Sequence, residues 1–209
     1  AVRAAELKAL NASLVVELRA REQELEHLAM QLGTMSSSSN TSNNNNAGTT
    51  TVASIDGKTS EDWDTVINTN LRGPWYLAKE WVKRRRSNDL SGGNVLNISS
   101  ITGEAVQKGN GVYCVSKAGL SHLTRQMALE WAKYGIRVNS LAPGYMRTDI
   151  NKEFIDSDIS NDMIKRIPMR RVGSIDEMDG ALLLLVSDAG SYITGSTLIV
   201  DGGHLLRDL

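Results

Sequence analysis

Three side chains in the middle of the chain have types and a spacing suited to proton transfer. Tyr113 and Lys117 stand four residues apart, so a helix would place them on one face. Because a nearby cation favours the phenolate, we expect Lys117 to lower the pKa of Tyr113 below its ordinary value of about 10. Ser100 lies thirteen residues before the tyrosine and follows the strand-like run 94–98. The three groups together indicate proton transfer at an alcohol or a carbonyl.

The segments that must hold these residues alternate between helical and strand-like patterns. Ser60, with Asp64, opens a helical pattern; Gly135 suits the end of a second helix; Ser174 opens a capping box. This alternation predicts an α/β fold with a parallel sheet covered on both faces by helices. Ligands bind beyond the carboxyl ends of the strands in such sheets, where Ser100 is expected to lie. The predicted helices span 60–86, 111–134 and 174–186, and the predicted strands span 94–98, 136–141 and 197–200.

Composition and charge are those of a soluble globular protein. The 209 residues, 41% hydrophobic and 22% charged, fit one domain over residues 1–209. A net charge of −1 and a pI of about 6.4 give no electrostatic basis for nucleic-acid or anionic-membrane partners. The single cysteine, Cys114, excludes an internal disulfide, and the histidines lack ligand spacing, so no metal site is predicted. The longest apolar run, 181–186, is too short to span a bilayer and no secretory signal is visible, so we expect a cytoplasmic protein.

The segment that contains Tyr113 and Lys117 is one of six sequence segments that occur in a fixed order. They are Asn-Asn-Ala-Gly at 45–48, Asn-Thr-Asn-Leu-Arg-Gly at 68–73, Asn-Ile-Ser-Ser-Ile-Thr-Gly at 97–103, Tyr-Cys-Val-Ser-Lys at 113–117, Ile-Arg-Val-Asn-Ser-Leu-Ala-Pro-Gly at 136–144, and Ile-Thr-Gly leading to Asp-Gly-Gly at 193–203. Together they resemble the short-chain dehydrogenase/reductase family. Segments 130–135 and 166–170 look like its polyol and gluconate dehydrogenases and its 3-oxoacyl-carrier-protein reductases. Six ordered segments are far more specific than one spacing. The resemblance implies a Rossmann-like, doubly wound parallel sheet.

The resemblance also implies an activity, the NAD(P)-dependent interconversion of a secondary alcohol and a ketone. In that scheme Tyr113 is the general acid/base, and Lys117 both lowers its pKa and holds the nicotinamide ribose. Ser100 hydrogen-bonds the substrate, because it keeps the thirteen-residue offset that Ser99 lacks. Asn70 supports a water in the proton relay. The implied partner is a small-molecule alcohol or ketone, and the segment 149–168, which shapes the substrate pocket in this family, does not identify it.

The cofactor implied by the resemblance is NAD or NADP. Residues 45–48 resemble the segment that passes the adenosine side of the cofactor, although asparagine-rich sequence there also suits a plain low-complexity run. Residues 143–148 resemble the segment that packs on the nicotinamide. Arg19 suits either the 2′-phosphate of NADP or a solvated helix charge, so the choice of cofactor stays open. The candidate cofactor-binding residues are Arg19, Asn45, Ala47, Gly48, Tyr113, Lys117, Pro143, Gly144 and Thr148.

Residues 3–33 have two interpretations. One is a single long helix with leucines near heptad positions, which could serve as a coiled-coil interaction arm. The other is helix–strand–helix, similar to the part of the family that follows its Gly-rich turn. Val15 and Val16 favour the second, because β-branched residues form strands better than helices. Periodicity alone does not decide between the two.

The Ser/Asn-dominated stretch 34–46 departs from the family pattern. Its composition cannot bury apolar surface, so it is predicted to be a low-complexity loop. A typical family member has two strands and a helix between the region of Gly33 and Asn45, and residues 34–44 are too few to form them. No Gly-rich phosphate-binding turn occurs before Asn45. We therefore expect the N-terminal dinucleotide-binding half to be incomplete and dinucleotide binding by these 209 residues to be weak.

Quaternary structure and a rival function follow from the same resemblance. The helices that hold Asn70 and Tyr113, and the tail 193–205, resemble surfaces that pair in the family, which implies a homotetramer or a dimer. The rival is a non-catalytic remnant that keeps the fold and acts as an oligomerising or interaction module. The missing Gly-rich turn favours this rival, and the intact Asn70, Ser100, Tyr113 and Lys117 oppose it.

Overall fold

A parallel sheet positions the residues of interest. The protein is represented by a computed structural model, which describes residues 52–89, 91–148 and 151–206. Three strands lie in the order β1–β2–β5, and both neighbouring pairs are parallel, so their carboxyl ends share one edge. A separate parallel pair is formed by β3 and β4. The strands are β1 (Gly93–Ile98), β2 (Ile136–Pro143), β3 (Met146–Arg147), β4 (Gly173–Ser174) and β5 (Thr197–Val200).

The helices begin and end largely where local signals place them. The first begins at Ser60 as predicted, but its cap is Thr59, which forms a capping box with Asp62 through two bonds of 3.1 Å. Gly135 follows the second long helix with a φ of 70°, a left-handed conformation that glycine adopts without steric cost. The predicted Ser174 capping box is confirmed. The helices are α1 (Ser60–Ile67), α2 (Gly73–Ser87), α3 (Gly111–Trp131), α4 (Lys152–Ile155), α5 (Asn161–Ile164) and α6 (Asp179–Val186).

Side chains of β2 alternate between two helical layers. Ile136 and Val138 are buried in a hydrophobic cluster with residues of α2 and α3. Arg137 and Asn139 point to the other side, since Arg137 Nη1 donates to the Leu185 carbonyl of α6 at 2.8 Å and Asn139 Nδ2 donates to the Ile193 carbonyl at 2.8 Å. Because consecutive strand residues face opposite sides, helices cover both faces of the sheet. The predicted α/β fold with a parallel sheet is therefore confirmed.

Three element boundaries differ from the prediction. The helix predicted over 60–86 is interrupted by a π-helical turn at Asn68–Arg72. The helix predicted over 174–186 begins as a 3₁₀ turn, Ile175–Met178, before α6. The segment 149–168 contains the short helices α4 and α5, which no sequence signal had indicated.

Several predictions concern residues that the structure does not describe. The two interpretations of 3–33 and the low-complexity loop 34–46 lie outside the described residues, so the single domain over 1–209 stays a prediction. Within the described part of the chain, none of the helices has the length and apolar character that crossing a membrane requires. In the same ranges, no three or more His, Cys, Asp or Glu side chains are grouped as a metal site would require.

Candidate active site

The serine and the tyrosine meet at the carboxyl end of β1. Ser100 caps the 3₁₀ turn Ile101–Gly103, and its Oγ accepts bonds from the Thr102 backbone N–H at 3.2 Å and the Thr102 hydroxyl at 3.0 Å. Tyr113 lies in the first turn of α3, and the Ser100 side chain is near enough to its phenol to lower the phenol's pKa, although burial outweighs this effect. With two bonds accepted from Thr102, the Ser100 hydroxyl proton remains for the Tyr113 oxygen. The structure thus brings together the two hydroxyls that the sequence singled out.

Lys117 lies one helical turn after Tyr113 and is almost fully buried, with 5% of its surface exposed. Its Nζ donates to the Ile98 carbonyl at the end of β1 at 2.9 Å and lies 5.6 Å from the centroid of the Tyr113 ring. Burial disfavours the charged ammonium and lowers the pKa of Lys117 from 10.5 to about 8. The lysine therefore sits beside the tyrosine ring, as the spacing predicted.

The predicted effect of Lys117 on the tyrosine is wrong for this structure. The pKa of Tyr113 is raised above its ordinary value, because burial disfavours the phenolate more than the hydrogen bond from Ser100 favours it. The ammonium of Lys117 is bonded to the Ile98 carbonyl and does not outweigh the effect of burial on the Tyr113 pKa. Burial, which spacing alone cannot reveal, therefore decides the direction of the pKa shift of Tyr113. The side chain is a neutral phenol at neutral pH.

Asn70 reaches the site from the π-helical turn between α1 and α2. It is fully buried, and its Nδ2 donates to the Ser116 hydroxyl at 3.1 Å. Ser116 in turn donates to the Tyr113 backbone carbonyl at 2.7 Å. Sequence reasoning missed Ser116, although its place in Tyr-Cys-Val-Ser-Lys, directly before Lys117, was a usable signal. The two bonds connect the Asn70 turn to the helix that carries the tyrosine.

A glycine allows the turn after Ser100 to lie against this helix. A Cβ added to Gly103 would lie 2.9 Å from the backbone carbon of Lys117, closer than real side chains approach. Ser99 strengthens the same contact, since its hydroxyl donates to the Lys117 carbonyl at 3.1 Å. Gly103 and Ser99 therefore fix the distance between the Ser100 turn and α3.

The predicted nicotinamide segment follows β2 at the same edge of the sheet. Pro143 ends β2, and the Gly144 N–H donates to the Val200 carbonyl of β5 at 2.8 Å. The Thr148 backbone N–H donates to Asn151 Oδ1 at 2.8 Å, so Asn151, which the sequence did not indicate, holds the end of this segment. The other predicted cofactor residues, namely Arg19, Asn45, Ala47 and Gly48, lie outside the described residues.

The fold is Rossmann-like, with a parallel sheet between helical layers. Its tyrosine, lysine and serine lie at the carboxyl ends of the strands, which is where such sheets bind ligands. A solved structure with this fold, a gluconate 5-dehydrogenase from Burkholderia cenocepacia in complex with NADP and tartrate, is 34% identical. It superposes with a TM-score of 0.72, and the match covers 78% of this chain and 64% of that one. The fold neighbour therefore shares the predicted Rossmann-like architecture.

Sequence comparison gives the family. The family model described as enoyl-(acyl carrier protein) reductase matches residues 4–204. Glucose 1-dehydrogenase 2 of Bacillus subtilis is 40% identical over 146 residues, which are 70% of this chain and 56% of the relative. The 3-oxoacyl-acyl-carrier-protein reductase of Rickettsia felis is 37% identical over 146 residues, or 70% of this chain and 59% of the relative. The chain belongs to the short-chain dehydrogenase/reductase family, as its motifs predicted, and it spans less than two thirds of the length of these relatives.

Proposed function

We propose that this protein is an NAD(P)-dependent oxidoreductase that interconverts a secondary alcohol and a ketone, with Tyr113 as the general acid/base. The observation that carries the proposal is the placement of Tyr113 between the Ser100 side chain and the buried Lys117, whose Nζ lies 5.6 Å from the centroid of the tyrosine ring. The bonds from Asn70 to Ser116 and from Ser116 to Tyr113 support it, because they hold the tyrosine helix in place. They also argue against the non-catalytic alternative.

The protonation states of these groups indicate how the proton moves. Tyr113, whose pKa burial raises, is protonated at neutral pH and can donate its proton to a carbonyl oxygen during reduction. Ser100 can donate its own proton to the same substrate oxygen. In the oxidation direction Tyr113 must first lose its proton, so alcohol oxidation would be favoured by alkaline pH.

The residues at the nicotinamide end fit the cofactor that the family implies. Lys117 uses one of its three N–H groups on the Ile98 carbonyl, which leaves donors for the hydroxyls of a ribose. Pro143 and Gly144, at the carboxyl end of β2, would lie against the nicotinamide ring, and Thr148 would bind its carboxamide. A bound nicotinamide supplies or accepts the hydride. The choice between NAD and NADP rests on Arg19 and stays open, and a cytoplasmic location stays a prediction.

Replacing Ser100 with alanine tests the proposal, because it removes a proton donor without removing Tyr113. We expect Ser100→Ala to lower kcat/KM for oxidation of a secondary alcohol by about 10²-fold, as loss of one oriented donor does in other enzymes. The measurement is the initial rate of nicotinamide reduction with a panel of secondary alcohols at saturating NAD⁺ or NADP⁺. The matched control is Ser91→Ala, since Ser91 is exposed and lies at the opposite end of β1. Unchanged turnover in Ser100→Ala would contradict the assignment.

The helices next to the site expose apolar side chains in a manner that supports a homo-oligomer. On α1 and α2, Trp63, Trp75, Tyr76 and Leu77 each keep between 39% and 45% of their surface exposed. Large apolar side chains exposed on adjacent helical segments favour association with another copy. We therefore expect a dimer or a tetramer, and light scattering at micromolar concentration measures the mass. A monomer mass would refute this prediction.

A further inference from the structure

Gln107 and Tyr145, on segments next to the proposed reaction site, have no role in the proton transfer described above. The side chain of Gln107 donates from Nε2 to the Tyr145 hydroxyl at 2.9 Å. The ring of Tyr145 lies 5.6 Å from the ring of His204, measured between centroids, at an interplanar angle of 36°. All three residues are partly buried. We call Gln107 and Tyr145 the Gln–Tyr pair.

The topology places the Gln–Tyr pair at the ligand-binding edge of the sheet. Gln107 lies on the loop between Ser100 and Tyr113, which follows β1, and Tyr145 directly follows Gly144 beyond β2. His204 follows β5, the third strand of the sheet. Because all three strands are parallel neighbours, their following segments meet beyond the same carboxyl edge. The bond between Gln107 and Tyr145 therefore joins the two segments between which the substrate would lie.

The pair offers uncharged groups that suit a hydroxyl. The Tyr145 oxygen accepts from Gln107 and keeps its own proton to donate. Gln107 keeps its side-chain carbonyl as an acceptor and a second N–H as a donor. A substrate hydroxyl both donates and accepts, so it can bond to both members of the pair at once.

Several charged groups on the segments that carry the pair and His204 are already paired or exposed to solvent. Arg147 forms a two-bond ion pair with Asp156, at 2.5 and 2.6 Å. The carboxylate of Asp201, after β5, accepts two backbone N–H groups at 2.8 Å. Glu104 and Lys108, on the loop that carries Gln107, are exposed. In this structure the guanidinium fork of Arg147 is occupied by Asp156, so no free two-bond partner for a substrate carboxylate or phosphate is seen among these groups, which favours an uncharged substrate.

We propose that the Gln–Tyr pair determines specificity by binding a hydroxyl next to the reacting carbon of an uncharged polyhydroxylated substrate, such as a polyol or a sugar. This inference rests on the proposed function, because it names the substrate class of the same site. A pocket built to hydrogen-bond a hydroxyl rejects analogues that lack it, since its own polar groups are then left without partners. The pair would therefore select a diol over a simple alcohol and over an acyl thioester.

Two alcohols that differ by one hydroxyl test the pair directly. In 2,3-butanediol, unlike 2-butanol, the carbon next to the reacting one carries a hydroxyl. We expect wild-type kcat/KM to be about 10²-fold higher for the diol than for 2-butanol. Gln107→Leu and Tyr145→Phe should each lower kcat/KM for the diol by about 10-fold, mainly through KM, and leave 2-butanol nearly unchanged.

Matched control variants separate specificity from a structural role. Gln126→Leu changes an exposed glutamine that bonds to Glu130 on α3, and Tyr192→Phe changes a fully exposed tyrosine. Both controls should keep the wild-type ratio between the two alcohols. The proposal is overturned if Gln107→Leu and Tyr145→Phe lose equal factors on both alcohols, or lose none. It is also overturned if wild type prefers acetoacetyl-CoA to the diol.

A binding measurement without turnover distinguishes failure of this inference from failure of the proposed function. Saturation-transfer NMR with sorbitol should show transfer from the wild-type chain and from Gln126→Leu, and strongly reduced transfer from Gln107→Leu. If no alcohol is oxidised, or if oxidation survives Tyr113→Phe, the proposed function fails while the sorbitol result still decides the role of Gln107. Absent transfer from wild type, or equal transfer from wild type and Gln107→Leu, overturns the role of the pair.

Discussion

Replacing Tyr113 with phenylalanine is expected to lower kcat for alcohol oxidation by about 10²–10⁴-fold, the usual contribution of a positioned general acid or base. Phenylalanine keeps the ring and removes the hydroxyl that we propose as the general acid/base. The initial rate of nicotinamide reduction with a secondary alcohol measures the loss, at saturating cofactor so that weak dinucleotide binding does not hide it. The fold should be preserved, because the ring remains at the start of α3.

Two comparisons make the Tyr113→Phe result specific. Tyr192→Phe removes a hydroxyl from a fully exposed tyrosine and should leave kcat unchanged. Thermal unfolding of Tyr113→Phe should stay close to wild type, since the variant loses one hydrogen bond, worth about 1 kcal/mol. Turnover near the wild-type rate in a folded Tyr113→Phe would show that another group transfers the proton.

The parts of the fold that the sequence predicts are those set by local signals. Gly135 ends the tyrosine helix because the position needs a left-handed backbone, and Ser174 with Glu177 forms the predicted capping box. The first helix begins at Ser60 as predicted, but the residue that caps it is Thr59, one position earlier. Ser60 and Thr59 have similar capping side chains, and only the bond between Thr59 and Asp62 distinguishes them.

The unpredicted features depend on contacts between distant segments. The π-helical turn at 68–72 carries Asn70, whose buried amide is bonded to Ser116, 46 residues away. Asn151 holds the predicted nicotinamide segment through Thr148, and Gln107 reaches Tyr145, 38 residues along the chain. Spacing and composition carry no signal for such pairs.

For Ser100, Tyr113 and Lys117, the sequence indicated that the side chains lie together but not how the pKa values of the tyrosine and the lysine shift. The four-residue spacing placed Lys117 beside Tyr113 correctly, because helix geometry follows from sequence distance alone. The pKa values of Tyr113 and Lys117 depend on how far the surrounding fold excludes solvent from them. The spacing of the two residues gives no information about solvent exclusion. The near-complete burial of Lys117 is therefore a finding of the structure, and it has a consequence for stability.

The buried lysine makes stability depend on pH in a defined direction. The pKa of Lys117 is about 8 in the folded protein against 10.5 for an ordinary lysine. Below pH 8 the lysine is protonated in both states, and the fold bears the full cost of burying the ammonium. Between pH 8 and 10.5 the unfolded chain binds more protons than the folded chain, so this group makes stability rise with pH. The gain across that window is about 3 kcal/mol, at about 1.4 kcal/mol for each unit of pKa difference.

Lys117→Met removes the buried charge and should change stability and activity in different ways. At pH 7 we expect its free energy of unfolding to equal or exceed that of wild type, because the desolvation cost is gone although the bond to the Ile98 carbonyl is lost. At pH 10 wild type should be the more stable, since its neutral lysine bears little cost and keeps that bond. Activity should fall by about 10²-fold at both values, because no side-chain N–H donor remains to position the cofactor beside Tyr113.

Urea unfolding of wild type and Lys117→Met at pH 7, 8, 9 and 10 tests whether the order of their stabilities reverses as the pH rises. The difference in free energy of unfolding between the two proteins isolates Lys117, because every other titrating group is common to both. Lys83→Met, which changes an exposed lysine on α2, should follow wild type at every pH. A difference between Lys117→Met and wild type that stays constant from pH 7 to 10 would mean that the ammonium is not desolvated. The stability cost of burying the Lys117 ammonium would then not exist, and the low pKa of this lysine would need another cause than burial.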